Sequence, residues 1–139
     1  MDFLSLYVTL KLATATTIVL LILAAPIAYA LAYLRFPGKS LFEALIYLPM
    51  ALPPTVMGFY LILVMGPKGV AGRAWEAVTG GSLLFTFLGI TIASVIYSIP
   101  FAVQPMKAAF QKIDPRLLEN AYVLGLSHFA AFIRVVLPN

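Results

Sequence analysis

The chain has 139 residues, of which 63% are hydrophobic and 10% charged, with a net charge of +4 and no cysteine. A soluble domain is about a quarter charged, so these charges are too few to cover a water-facing surface. The lack of cysteine excludes a disulfide framework or a thiolate metal site, and the basic residues are scattered between apolar runs rather than gathered into a nucleic-acid-binding patch.

Charged residues are missing between Lys11 and Arg35, between Glu43 and Lys68, and between Glu76 and Lys107. A helix needs about 20 apolar residues to cross a hydrocarbon core about 30 Å thick, and each gap is long enough. The spacing predicts an all-α, polytopic membrane helix bundle with three spanning helices. The first is expected over 12–34. Its Ala24, Ala28 and Ala32 recur every fourth residue, a pattern that lets a neighbouring helix approach closely. Pro26 is expected to kink it. "AYA" at 28–30 looks like a small-residue cleavage site, but the apolar run before it is longer than the roughly 7–15 residues of a signal core, so the run is read as a retained span.

Pro37-Gly38 marks a turn between Arg35 and Lys39. The second span, 44–65, contains LPMALPPTVMG, in which Pro49, Pro53 and Pro54 interrupt the helical ladder. The carbonyls they free must face protein or a watery cavity, because unsatisfied backbone in hydrocarbon is costly. These prolines, with Thr55 and Gly58, are the candidate pathway or gate residues. The glycine-rich stretch 66–81, GPKGVAGRAWEAVTGG, is expected to be an aqueous loop with Trp75 as an interfacial anchor. The third span is expected over 83–106, its exit bent by Pro100 and Pro105.

A short amphipathic helix is expected over 114–125. Asp114-Pro115 reads as an N-cap followed by proline at the first helical position, and Gly125 reads as the stop. Leu117, Leu118, Ala121 and Leu124 are expected on one face. Arg35 and Lys39, together with Lys107, Lys112, Arg116 and Arg134, place six of the nine basic residues on one side of a three-span chain. That bias puts the N-terminus outside and this helix in the cytoplasm. Its polar face of Arg116, Glu119 and Asn120, with small Ala121 opposite, is unlike a helix lying on a bilayer. It suits a groove on another protein.

At this point the residues carry a resemblance. Glu119, Ala121, Gly125, Leu137 and Pro138 fall at the separations of the cytoplasmic loop of bacterial ABC importer permeases, which reads Glu-Ala-Ala, three residues, Gly, nine residues, Ile-x-Leu-Pro. Asn120 stands for the first alanine and Val135 for the isoleucine. FPGKSLFEALIYLPMALPPTVMGFYLILVMG and IDPRLLENAYVLG are similar to molybdate importer permeases, and the resemblance covers the chain from about Leu10.

The resemblance implies a partial type I importer transmembrane domain over 1–139, with 114–125 as its coupling helix. By that resemblance Leu117, Leu118, Glu119, Asn120, Ala121, Tyr122, Leu124 and Gly125 dock on a cytoplasmic ATPase subunit. The ATP and Mg belong to that ATPase, and this chain binds no cofactor or metal. An extracytoplasmic oxyanion-binding protein, a second permease copy and membrane lipid complete the implied partners, with no nucleic acid among them. Further spans are implied beyond Leu137-Pro138, so the chain is expected to be a C-terminally truncated permease in which 128–139 begins a fourth span.

The implied cargo is a tetrahedral oxyanion, molybdate first, with tungstate or sulfate as alternatives. No Arg, Lys or His lies within a span, so only hydroxyls such as Thr14, Thr16, Thr17 and Thr55 could donate weakly, and His128 reads as a solvated or interface residue. The sequence carries no metal cluster, no nucleophile–base set and no phosphate-cradling loop. Two other classes are weighed: a small membrane interaction protein that recruits a cytoplasmic partner without transport, and an intramembrane enzyme, disfavoured because no span carries an ionisable residue.

Overall fold

The computed structural model describes residues 2–138. Its order is α1 (Phe3–Tyr33), α2 (Lys39–Ala51), α3 (Pro54–Met65), α4 (Val70–Thr79), α5 (Phe87–Gln111), α6 (Pro115–Val123), α7 (His128–Ala131) and a π-helical turn, Phe132–Val136. The described residues contain no strand. Asn139, the last residue of the expected fourth-span lead-in, lies outside them.

The first helix starts at Phe3, well before the expected residue 12. Lys11 suggested a boundary, but lysine is a good helix former. Here its ammonium sits 5.1 Å from the Phe87 ring centroid at the start of α5. Thr9 and Thr14 donate their hydroxyls back to the carbonyls of Ser5 and Leu10, so these two polar side chains are satisfied within the helix. α1 continues through Pro26 as one helix. At about 1.5 Å per residue its 31 residues run to about 46 Å, more than a hydrocarbon core.

α5 is the other long apolar helix. Its start is set by Thr86, whose hydroxyl accepts from the Gly89 amide at 3.1 Å. Residues 83–86, expected within the span, form the turn that leads into it. The helix passes through Pro100 and Pro105 and ends at Gln111, beyond the expected 106.

α1 and α5 pack along one another in parallel. Lys11 meets Phe87 at one end, and the Tyr33 hydroxyl donates to the Phe110 carbonyl at the other. Between them Ala24 and Ala28 are fully buried in the core that contains Val103 and Phe110. The chain between two parallel helices must recross the same thickness, and α2 with α3 makes that crossing. Glu43 of α2 pairs with Lys107 near the end of α5. Gly58, Ile62 and Met65 of α3 share a cleft with Leu84, Gly89 and Ala93 around its start. From Gly89 to Lys107 the α-helical rise is about 27 Å.

The return crossing is not the continuous helix expected over 44–65. It is broken, and the axis bends by 114° between its halves. The cause is local. A residue before proline is pushed out of the α region, and with Pro53 and Pro54 adjacent, both Leu52 (ψ 140) and Pro53 (ψ 141) are extended. Pro54 then occupies the first turn of α3, where its missing N–H costs nothing. Pro49 stays inside α2, buried.

The stretch expected as a loop holds the ten-residue helix α4. Gly72 serves close packing: a Cβ there would lie 1.9 Å from the Gly66 carbonyl oxygen. Gly80, at φ 72, closes the helix in the left-handed conformation. Gly72→Val should therefore destabilise the α3–α4 unit by about 1–3 kcal/mol. Trp75 is the chain's one tryptophan, so a denaturant titration in detergent followed by its fluorescence should show a lower midpoint. An unchanged midpoint would contradict the packing.

Candidate functional site

The candidate site is α6 and what holds it. Asp114 is its N-cap, its carboxylate accepting from the Arg116 amide at 3.0 Å, and Pro115 takes the first helical position. The other end closes as a Schellman motif: Leu126 N–H donates to the Ala121 carbonyl at 3.0 Å and Gly125 N–H to that of Tyr122 at 2.9 Å. That closure requires a left-handed residue, and Gly125 has φ 81. The helix has nine residues, too few to be stable alone in water, so tertiary contacts must fix it.

Those contacts divide the expected docking face. Leu118 and Ala121, 5% and 4% exposed, are inserted into the chain's own core beside Phe110, Ala131 and Val136. Leu117 is 44% exposed and Leu124 81%. Leu117 and Leu118 are about 100° apart around the axis with Ala121 between them, so the core covers the Leu118 side and leaves Leu117 at its open edge. Leu124 falls at the C-cap (ψ 4), where helical spacing has ended. Val123, which the periodicity did not single out, is 85% exposed beside it. Arg116, Glu119 and Asn120 also face outward. So Leu118 and Ala121 anchor the helix to its own bundle, and Leu117, Val123 and Leu124 form its free apolar surface.

Tyr122 also turns toward the bundle. Its hydroxyl lies 3.0 Å from the Tyr29 hydroxyl on α1 and 3.0 Å from His128 Nδ1 at the start of α7. The Tyr29 ring packs between Tyr33 and Phe132, each at a centroid distance of 5.1 Å. Phe132 also meets Phe110 edge-on at 6.0 Å. Tyr29, Tyr33 and the Glu43–Lys107 pair went unnoticed in the sequence. The available signal was two phenols one turn apart at the end of an apolar stripe, where each hydroxyl needs a partner. Residues 128–138, expected to begin a further span, pack here through Ala131 and Val136, with Ser127 capping α7 by accepting from Ala130 N–H.

The candidate pathway residues do not converge on a binding site. Pro53, Pro54 and Thr55 lie exposed at the break, Pro49 is buried in α2, and Gly58 lines the cleft with Leu61, Met65, Leu84 and Gly89. That lining is apolar. Of the hydroxyls expected to donate, Thr14 is engaged by its own helix, while the Thr16 oxygen is enclosed with no hydrogen-bond partner among the described residues.

A family profile described as "Binding-protein-dependent transport system inner membrane component" matches residues 21–139. The chain is similar to the molybdenum transport system permease protein ModB of Azotobacter vinelandii, at 44% identity over 99% of this chain and 61% of that protein. ModB of Haemophilus influenzae is 32% identical over 99% of this chain and 60% of its own length. A probable sulfate transport system permease protein of Chlorokybus atmophyticus is 36% identical over 94% of this chain and 46% of its own. The chain thus spans about three-fifths of the ModB relatives' length.

The left-handed turn at Gly125 offers a direct test of how α6 is closed. Gly125→Val forces a β-branched residue into that conformation at a cost of about 1–2 kcal/mol. Hydrogen exchange at the amides of residues 125 and 126 should then be faster, with the α5 amides unchanged. Equal exchange in both proteins would show that the turn does not hold the helix end.

Proposed function

As the chain belongs to the family of binding-protein-dependent transport system inner membrane components, we propose that it is a translocation subunit of an ATP-driven importer, with α6 as its coupling helix. One observation carries this reading. A helix capped at both ends and pinned by Leu118, Ala121 and Tyr122 presents Leu117, Val123 and Leu124 to the outside. Bulky apolar groups held rigidly on a short helix suit a cleft on a second protein, because little ordering entropy remains to be lost on docking. Glu119 and Asn120 beside them supply a polar rim.

The charges support a cytoplasmic position for this surface. The parallel packing of α1 and α5 puts Arg35 and Lys39 at the same end as Lys107, Lys112 and Arg116, and basic residues near span ends favour the cytoplasm. The partner proposed there is a separate ATPase subunit that holds the ATP and Mg. Closure of an ATPase pair would move α6, and α5 would carry that movement into the membrane. A second permease copy would complete the path, and an extracytoplasmic binding protein would supply the affinity that the apolar cleft does not offer.

Molybdate is the proposed cargo, since the ModB relatives are molybdenum permeases matched along nearly the whole chain. Sulfate is the second reading, favoured by the relative named for sulfate transport. Both are tetrahedral oxyanions. Uptake of labelled molybdate by cells expressing the chain with its ATPase, challenged with tungstate and sulfate, separates them. Binding of the ATPase without uptake of any of the three would favour the membrane interaction protein instead.

Substitutions at the two kinds of leucine should behave differently. Leu124→Asp should lower ATPase co-purification by about tenfold or more, as expected of an exposed docking anchor, and leave the chain folded. Leu118→Ala should destabilise the chain itself by about 2–5 kcal/mol. ATPase recovery unaffected by Leu124→Asp, measured by pull-down from detergent extracts, would sink the docking surface.

A further inference from the structure

We infer that Tyr122 is a positioning residue that ties α6 directly to α1, so that a displacement of α6 reaches α1 through the Tyr122–Tyr29 contact as well as through α5. The second half of this inference rests on the docking reading of α6; the tie does not.

Covalently, α6 is joined to α5 through residues 112–114 and to α7 through residues 124–127. It has no short chain connection to α1, whose Tyr29 is 93 residues away. Apolar contacts at Leu118 and Ala121 allow sliding, but hydrogen bonds are directional. Tyr122 has two of them, each 3.0 Å, to groups on different elements. When His128 Nδ1 is unprotonated, Tyr122 donates to it and accepts from Tyr29, which satisfies both phenols. Its ring also packs on the imidazole at a centroid distance of 4.9 Å. Turning the phenol therefore breaks three contacts together.

The tie continues past Tyr29. Tyr29 packs on Tyr33, and the Tyr33 hydroxyl donates to the Phe110 carbonyl in the last turn of α5. A closed circuit results: α6 to α1 by Tyr122, α1 to α5 by Tyr33, and α5 back to α6 through the chain. Among the described residues, the side-chain hydrogen bonds that join distant elements are Tyr29–Tyr122, Tyr33–Phe110 and Glu43–Lys107, and all three lie at this end of the bundle. The opposite end has apolar packing and Lys11 over Phe87.

The chain has no cysteine, so introduced cysteines report distances without background. Spin labels at Ile22→Cys on α1 and Arg116→Cys on α6 use two exposed positions away from the apolar surface of Leu117, Val123 and Leu124. In lipid nanodiscs without ATPase, Tyr122→Phe keeps the ring and removes the hydroxyl. It should broaden the distance distribution about twofold, a loss of local order rather than of fold. Tyr29→Phe should do the same, and the double variant no more. A control pair, Ile22→Cys with Phe101→Cys on α5, should keep its width, which excludes general loosening. An unchanged width for the first pair in Tyr122→Phe overturns the tie.

With a molybdate-importer ATPase subunit and magnesium–ATP added, the unsubstituted chain should show the first distance and the α1 label environment moving together. Tyr122→Phe should retain the ATPase yet lose the α1 response. A retained α1 response would overturn delivery through Tyr122. Failure of the unsubstituted chain to bind the ATPase would overturn the docking reading and the delivery with it, while the tie is judged by the widths alone.

Discussion

In lipid, α1 and α5 gain little by hiding apolar side chains from one another, because the surrounding tails are equally apolar. Close packing holds them instead, at Ala24 and Ala28, where fully buried small side chains bring the helices near. Their parallel arrangement then constrains the rest. A chain that descends twice in the same direction must climb once between, and the return must attach near both ends of α5. Glu43 meets Lys107 at one end, and Met65 lines a cleft with Gly89 at the other. The break at Leu52-Pro53 does not prevent this crossing. It divides the crossing into two helices that can lean differently on α5.

The bundle is polar in its ties at one end and apolar at the other. Tyr29, Tyr33, Glu43, Lys107 and Tyr122 cluster where α5 gives way to α6. A hydrogen bond between helices in a membrane is worth only about 1 kcal/mol, so these contacts do little for stability beyond what packing supplies. Their effect is on geometry, since each fixes the direction in which two helices meet. Stiffness placed beside α6, with an apolar cleft and a broken span farther away, fits a part that receives a push at one end and yields at the other.

Two glycines show why local rules misread parts of this chain. Gly72 looked like loop material, yet it permits α4 to press its backbone against the end of α3. Gly125 was legible because its role is local: a helix ends there with a positive φ. Pro53-Pro54 was legible as an interruption for the same reason, while the 114° turn it produces depends on what each half packs against. Lys11 marks no boundary, since α1 starts at Phe3 and runs through it.

The sequence by itself determined the membrane class, the long apolar helices α1 and α5, both caps of α6 and the family, because charge-free runs, capping residues and motif spacing act over a few neighbouring positions. The tertiary structure alone decided which leucines of α6 are free. Leu117 and Leu118 are adjacent and chemically identical, and only the presence of Phe110, Ala131 and Val136 on one side makes one an anchor and leaves the other exposed. It likewise decided that Tyr122 meets Tyr29, since two phenols 93 residues apart become partners only when α1 and α5 pack side by side.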